Sequence, residues 1–227
     1  MTSIETRTIL GAPVAVTFCV AAVLLLCSGA TAASFQNLDF EEAVVAGPPG
    51  SLLPASEALP HWTVSPDTYA VSYDQICLAR GCISVHDSPS DDLSEAPLEG
   101  FFSIVLQGPN VSDTGPVYIE QVGDVTGDLI ELLFLAPVGS GTLEVSLNGS
   151  GIALTPVGTL GAATILQGDV SAFSGMTAAL RIASSGPTEG GPPVLVDAVK
   201  FVPEPSSVAL LALGLAGIAA GRRAFCW

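Results

Sequence analysis

The sequence predicts an all-β protein, an antiparallel β-sandwich (jelly roll), flanked by a signal helix at the N-terminus and a short transmembrane helix at the C-terminus. Three observations carry the central prediction. Short runs alternate apolar and polar residues with a period of two. Turn signals separate these runs at intervals of roughly ten residues. Between the two terminal apolar segments, no stretch sustains a 3.6-residue period. Composition points the same way, since 24 Gly and 17 Pro beside only 12% charged residues favour short strands and turns over long helices.

The first element is an address. Arg7 precedes an apolar stretch from Ile9 to Cys27, and Ala30 and Ala32 then supply small residues at the −3 and −1 positions of a signal-peptidase site. Cleavage after Ala32 makes residues 1–32 a signal peptide and starts the mature chain at Ala33. The run is also long enough to act as an uncleaved anchor. Lipid attachment at Cys27 is disfavoured because Leu26 stands where a small residue is needed.

Residues 33–202 form the expected domain, long enough to bury a core without disulfide staples. Phe102, Ile104 and Leu106 alternate with Ser103, Val105 and Gln107. Val117, Ile119 and Gln121 form a second run, and Leu143, Val145 and Leu147 a third. Gly149 to Gly151 mark a turn, with Ile152 to Leu154 opening a hairpin partner. Ile130 to Leu135 is apolar throughout and reads as a central strand buried on both faces. Ala178 to Ile182 and Val194 to Val202 complete the set. Residues 48–98 are irregular and rich in Pro, Ser and Asp, with Trp62, Tyr69 to Tyr73 and Ile83 to Val85 as short strands or core plugs. Loops of that kind commonly carry binding sites.

The last element is a second address. Pro203-Glu204-Pro205 is followed by an apolar run, Val208 to Ala220, and by Arg222-Arg223. A helix from Ser206 to Gly221 covers roughly 24 Å, short of a ~30 Å hydrocarbon core, and spans only with local thinning. The arginines would stay on the cytoplasmic side. In motif, helix and basic pair, residues 203–227 resemble the PEP-CTERM sorting tail of Gram-negative, often biofilm-forming bacteria. The resemblance implies recognition and removal by an exosortase during export to the surface or matrix. Ala224 to Trp227, beyond the arginines, depart from tails that simply stop there.

A looser resemblance covers the whole domain. Asn37-Leu38-Asp39-Phe40-Glu41 at its start, Leu59-Pro60-His61-Trp62 next and Leu195-Val196-Asp197-Ala198-Val199 at its end are similar to galactose-binding-like jelly rolls, a fold shared by many carbohydrate-binding modules. That resemblance places Gly100-Phe101-Phe102-Ser103 and Tyr118 to Val122 in core strands, and implies one structural calcium ion held by Glu41 (or Glu42) and Asp197 with backbone carbonyls. Two carboxylates, carbonyls and water meet the ion's demand for oxygen ligands. The same residues also read as part of a solvated acidic face.

Other residues narrow the function. The net charge is −16, and from Ser34 to Val202 the basic residues are Arg80, Arg181 and Lys200. Nucleic acid is thereby excluded as a partner, because phosphate binding needs a dense Lys/Arg footprint. Cys77 and Cys82 are the cysteines left once both termini are removed, and in an oxidising compartment they are expected to form a local disulfide. Zinc lacks a fourth ligand there. The acidic run from Asp87 to Glu99 has no EF-hand spacing and reads as a solvent loop. His61 reads as packing at a core edge. His86, beside Asp87, reads as a surface residue. No G-x-S-x-G elbow is present, so a serine hydrolase is not expected. Trp62 is the natural platform candidate for contact with a sugar, while burial in the core is the favoured reading of that residue.

The expected function is therefore that of an exported, non-enzymatic surface or extracellular-matrix protein. Signal peptidase and exosortase would process it, and the inner membrane would hold it transiently before it contacts extracellular polysaccharide. The alternative is an extracellular hydrolase acting on polymer, with its site in the 48–98 loops.

Overall fold

The computed structural model describes residues 33–65, 71–76, 81–89, 94–108, 117–137, 141–185 and 192–203. The chain divides after Ala32 into two units, and all described residues belong to the second. The segment 1–32, Cys77 and the sorting residues Glu204, Pro205, Arg222 and Arg223 lie outside the described residues. So does the whole apolar run expected to form the terminal helix. Among the described residues, no helix is long and apolar enough to cross a membrane.

The strands predicted from alternation form, and others join them. Among the described residues they are β1 (Leu52–Leu53), β2 (Thr63–Ser65), β3 (Val71–Tyr73), β4 (Cys82–His86), β5 (Ser103–Gln107), β6 (Val117–Asp124) and β7 (Leu129–Leu135), followed by β8 (Thr142–Leu147), β9 (Ser150–Ile152), β10 (Leu154–Leu160), β11 (Ala163–Asp169), β12 (Thr177–Ser185) and β13 (Pro193–Val202); β1 and β11 are not among the expected strands. One helical turn, α1 (Ala55–Ala58), follows β1. Eight strands make one sheet in the order β1-β3-β4-β5-β13-β7-β11-β10, and five make the other, β2-β6-β12-β8-β9. Every described pairing between named strands is antiparallel except β3 with β4. The result is an all-β sandwich. Its core lies where the two inner faces meet, with Ile104, Leu106, Ile130, Leu132, Val194 and Val196 facing Ile119, Val145, Leu147, Leu180 and Ile182.

Three elements differ from expectation. β7 is buried only at Ile130, Leu132 and Leu133, with Glu131 and Phe134 half-buried, whereas β3, β4 and β5 are buried on both faces. The reason is a covering segment. Ile76 and Leu98 pack on Val105 and Leu195 on the outer face of the larger sheet, so β5 meets apolar material on each side. The turn after β8 is Asn148-Gly149, both at positive φ (49° and 78°), one residue earlier than expected. Two consecutive left-handed residues match the twist of a two-residue hairpin. Finally, β10 and β11 form a full hairpin whose first strand is exposed on both faces and so shows no period-two burial.

The opening segment explains its own motif. Asn37 sits at φ 48° and Phe40 at φ 59°, a tight left-handed path that Asn tolerates well. Asn37 Oδ1 accepts the Glu42 N–H at 3.0 Å, and its Nδ2 donates to the Pro60 carbonyl at 3.2 Å. Phe40 is thereby driven fully into the core. Beside this segment runs the last strand, with the Val199 N–H donating to the Leu38 carbonyl and Phe35 stacked on Phe201 at 5.1 Å.

Candidate functional site

A line of buried polar residues crosses the outer face of the larger sheet: Asp74 at the end of β3, His86 on β4, Ser103 on β5 and Asp197 on β13. All four are at most 3% exposed. Burying such groups is costly unless each finds partners, and the segment 94–103 supplies them. His86 Nε2 lies 2.7 Å from the Glu95 carbonyl and Nδ1 lies 2.9 Å from Asp74 Oδ1. A carbonyl only accepts, so Nε2 carries hydrogen. Nδ1 and Asp74 then share a further proton, as imidazolium with carboxylate or as imidazole with carboxylic acid. Asp74 also accepts the Asp87 N–H and the Ser88 hydroxyl, and burial raises its pKa above the usual carboxylate range. The Ser103 hydroxyl accepts the Leu98 N–H at 2.8 Å and donates to Asp197 Oδ2 at 2.8 Å.

Asp197 Oδ2 also accepts the Glu99 N–H at 2.9 Å, and Oδ1 accepts the Ala198 N–H at 2.6 Å. From the opening segment, Glu41 Oε1 accepts the N–H groups of Phe101 (2.8 Å) and Phe102 (3.1 Å). The two carboxylates grip one turn from opposite ends. Between them Gly100 stands at φ 61°, where a Cβ would collide with the Glu41 carboxylate. Burial pushes the Asp197 carboxyl up to about 7, its hydrogen bonds partly oppose this, and the Glu41 charge adds to the rise.

The donor set bears on calcium. Glu41 Oε2 makes no hydrogen bond among the described residues, and Asp197 Oδ1 keeps one lone pair. The described Lys and Arg side chains pair elsewhere, Arg181 with Glu120 and Lys200 with Glu131. The carboxylate pair is thus without a cationic partner among the described residues, a setting that fits a hard cation. No cluster of three His, Cys, Asp or Glu forms among the described residues. Carbonyls and water would therefore have to complete the shell.

Four expectations are corrected. Trp62 is only 6% exposed; its indole N–H donates to the Asn37 carbonyl at 3.0 Å and its ring packs near Phe40. It is a core residue and offers no sugar platform. Phe101, expected to enter a core strand, is 76% exposed because β5 begins only at Ser103 and the Gly100 turn points it outward. His86 is fully buried rather than on the surface, since its partner is Asp74, not the adjacent Asp87, which accepts the Tyr73 hydroxyl instead. The described part of the acidic run packs as a strap over the sheet, because Leu98 is apolar and caps Val105. That apolar stretch within the run, Ala96 to Leu98, was the available signal. Elsewhere, Cys82 is buried at the start of β4 with its thiol 3.6 Å from Gln107 Oε1, while Cys77 is outside the described residues. His61 pairs with Glu42 at 3.2 Å on the surface.

The outer face of the five-stranded sheet offers a second feature. The Arg181 guanidinium stacks 3.9 Å over the Tyr118 ring and donates from Nε and Nη2 to Glu120 Oε2 at 2.8 and 2.7 Å. Its cross-strand neighbours are Ala183 and Ser146, and the Arg181 and Glu120 side chains stay 40% and 29% exposed.

Residues 201–224 match the PEP-CTERM protein-sorting motif. The chain carries an exosortase sorting tail. The PEP-CTERM motif marks it as an exported protein, sorted through the membrane and processed by an exosortase. No curated protein matches the sequence. Among solved structures, it is similar to an apo-form cyclase from Fischerella sp., at 15% identity over 74% of this chain and 94% of that one, with a TM-score of 0.38. A likeness that distant carries no argument about activity.

Proposed function

We propose that the PEP-CTERM chain is a non-enzymatic component of the cell surface or extracellular matrix whose sandwich domain contacts polysaccharide. The observation that carries the reading is the sorting motif at 201–224, which marks the chain for export and sorting through the membrane. Strand order supports the galactose-binding-like jelly roll, because β5, β6, β7 and β8 alternate between the sheets and the last strand, β13, pairs with β5. The sugar-facing groups are the Tyr118–Arg181–Glu120 cluster, a guanidinium stacked on an aromatic ring and fixed by a carboxylate.

Glu41 and Asp197 would hold a structural calcium ion. Bound there, the ion would neutralise two carboxylates that otherwise repel and fasten the opening segment to the last strand. The protein's own groups do the positioning: Glu99, Phe101, Phe102 and Ala198 orient the carboxylates through their N–H groups.

A non-enzymatic role is favoured by the way the polar row is engaged. Ser103 lies between His86 and Asp197, yet its hydroxyl donates to Asp197, and His86 turns Nε2 to the Glu95 carbonyl. A nucleophilic triad needs the hydroxyl hydrogen-bonded to the imidazole. The competing hydrolase reading predicts turnover. Titration of the chain against soluble acidic and neutral polysaccharides, with reducing ends assayed in parallel, separates them. Saturable binding without new reducing ends is expected, weakened by Arg181→Ala; release of reducing ends would replace this reading with the hydrolase. The destination is tested separately, since Pro203→Ala with Glu204→Ala should leave the tail uncut and the chain in the inner-membrane fraction.

A further inference from the structure

We infer that the β10 edge is a self-association surface, on which a second copy of this chain pairs its own β10 antiparallel to the first. The sandwich has four sheet edges among the described residues. Three are short, formed by β1 (two residues), β2 (three) and β9 (three). Short edges are one of the ways proteins avoid edge-to-edge pairing. The fourth, β10, runs seven residues from Leu154 to Leu160 and is paired on one side only, to β11.

The edge is also free of the charges that usually blunt one. From Val145 to Gly168 there is no Asp, Glu, Lys, Arg or His, in a chain whose net charge is −16. Thr155 to Leu160 are all exposed, including Val157 and Leu160, so both faces of the strand stand clear of the sandwich. An open groove of about 440 Å³, lined mainly by Pro97, Leu98, Leu135, Leu160 and Ala163, continues the apolar surface from the end of the strand. The features that oppose pairing are Pro156, which lacks one N–H donor, and the register shift between Pro156 and Gly158.

Charge decides in favour of a second copy over a foreign partner. A basic partner would be drawn to the acidic surface, not to its uncharged margin. Two copies repel wherever their carboxylates meet, and the charge-free run is where that repulsion is least. A two-fold axis near Val157 sets each strand against itself, so free N–H and C=O groups find complementary partners and the two eight-stranded sheets become continuous. The inference is independent of calcium and of polysaccharide.

Sedimentation velocity of the full chain in mild detergent tests it, comparing wild type, Val157→Lys, Thr159→Lys and Val122→Lys. Each substituted side chain is exposed, and a melt of each variant confirms folding. Wild type and Val122→Lys, whose change lies on the other sheet, should dimerise alike. Val157→Lys sets like charges across the axis and Thr159→Lys puts a charge on the paired edge opposite Thr155, so both should dimerise at least about tenfold more weakly. Association driven by the apolar termini would be equal in all four chains and would overturn the inference, as would a wild type that stays monomeric. Loss confined to Val122→Lys would move the interface to the five-stranded sheet and overturn it equally.

Discussion

Glu41 and Asp197, from opposite ends of the domain, hold the same turn: Glu41 takes the N–H groups of Phe101 and Phe102, and Asp197 takes the N–H of Glu99 and the hydroxyl of Ser103. The turn thereby fastens the opening segment to the last strand. It also leaves two carboxylates facing one strap without a cationic side chain among the described residues.

Gly100→Ala should open this arrangement. The new Cβ meets the Glu41 carboxylate and the backbone sits in the left-handed region, so the strap must shift. A loss of roughly 2–3 kcal/mol in urea unfolding is expected. A change within 0.5 kcal/mol, the usual scatter for a surface substitution, would show that the clasp contributes nothing.

Asp197 makes stability depend on pH. Its folded-state value of about 7 lies above the unfolded carboxylate value, so the folded protein binds the proton more tightly. The contribution is fully present below the ordinary Asp range and is lost as pH rises through about 7. At order of magnitude it amounts to a few kcal/mol, at about 1.36 kcal/mol per unit. Unfolding free energies from pH 5 to 8 should fall in wild type, and this component should vanish in Asp197→Asn. An identical slope in both proteins would remove Asp197 as its source.

Calcium should flatten that slope. A bound cation favours the ionised carboxylates, so calcium should raise Tm most at pH 8 and least at pH 5. Glu41→Gln should lose the effect. A Tm indifferent to millimolar calcium at pH 8 would exclude the ion from this place.

His86→Ala strands a buried carboxylate. Asp74 would keep its bonds to Asp87 and Ser88 but lose its ring partner, and the strap would lose its anchor at Glu95. The expected cost is about 3–5 kcal/mol. Hydrogen exchange should report it first at the amides of residues 94–99. Unchanged protection there would mean that the strap is held without His86.

Much was legible in the sequence because much is local. Period-two alternation named β5, β6, β8, β12 and β13, since a strand with one buried face must show it residue by residue. The Pro203-Glu204-Pro205 start of the sorting tail, the apolar run and the arginine pair are likewise a linear signal. Glu41 and Asp197 were visible through their motifs, although what they do for the Glu99–Ser103 turn was not.

The rest depended on which side of each element was covered, and covering is non-local. Trp62 and Phe101 are both large aromatic residues in irregular sequence; one is buried because Asn37 and Phe40 close over it, the other is exposed because Gly100 turns the chain outward. His86 stands next to Asp87 in sequence, but the parallel pairing of β3 with β4 brings Asp74 to it instead. The β10 strand shows no alternation because beyond Leu154 both of its faces are exposed. Sequence by itself determined the alternating strands and the sorting tail, because both are written in consecutive residues. Only the tertiary structure decided which polar residues are buried together, because that follows from strands distant in sequence meeting across one sheet.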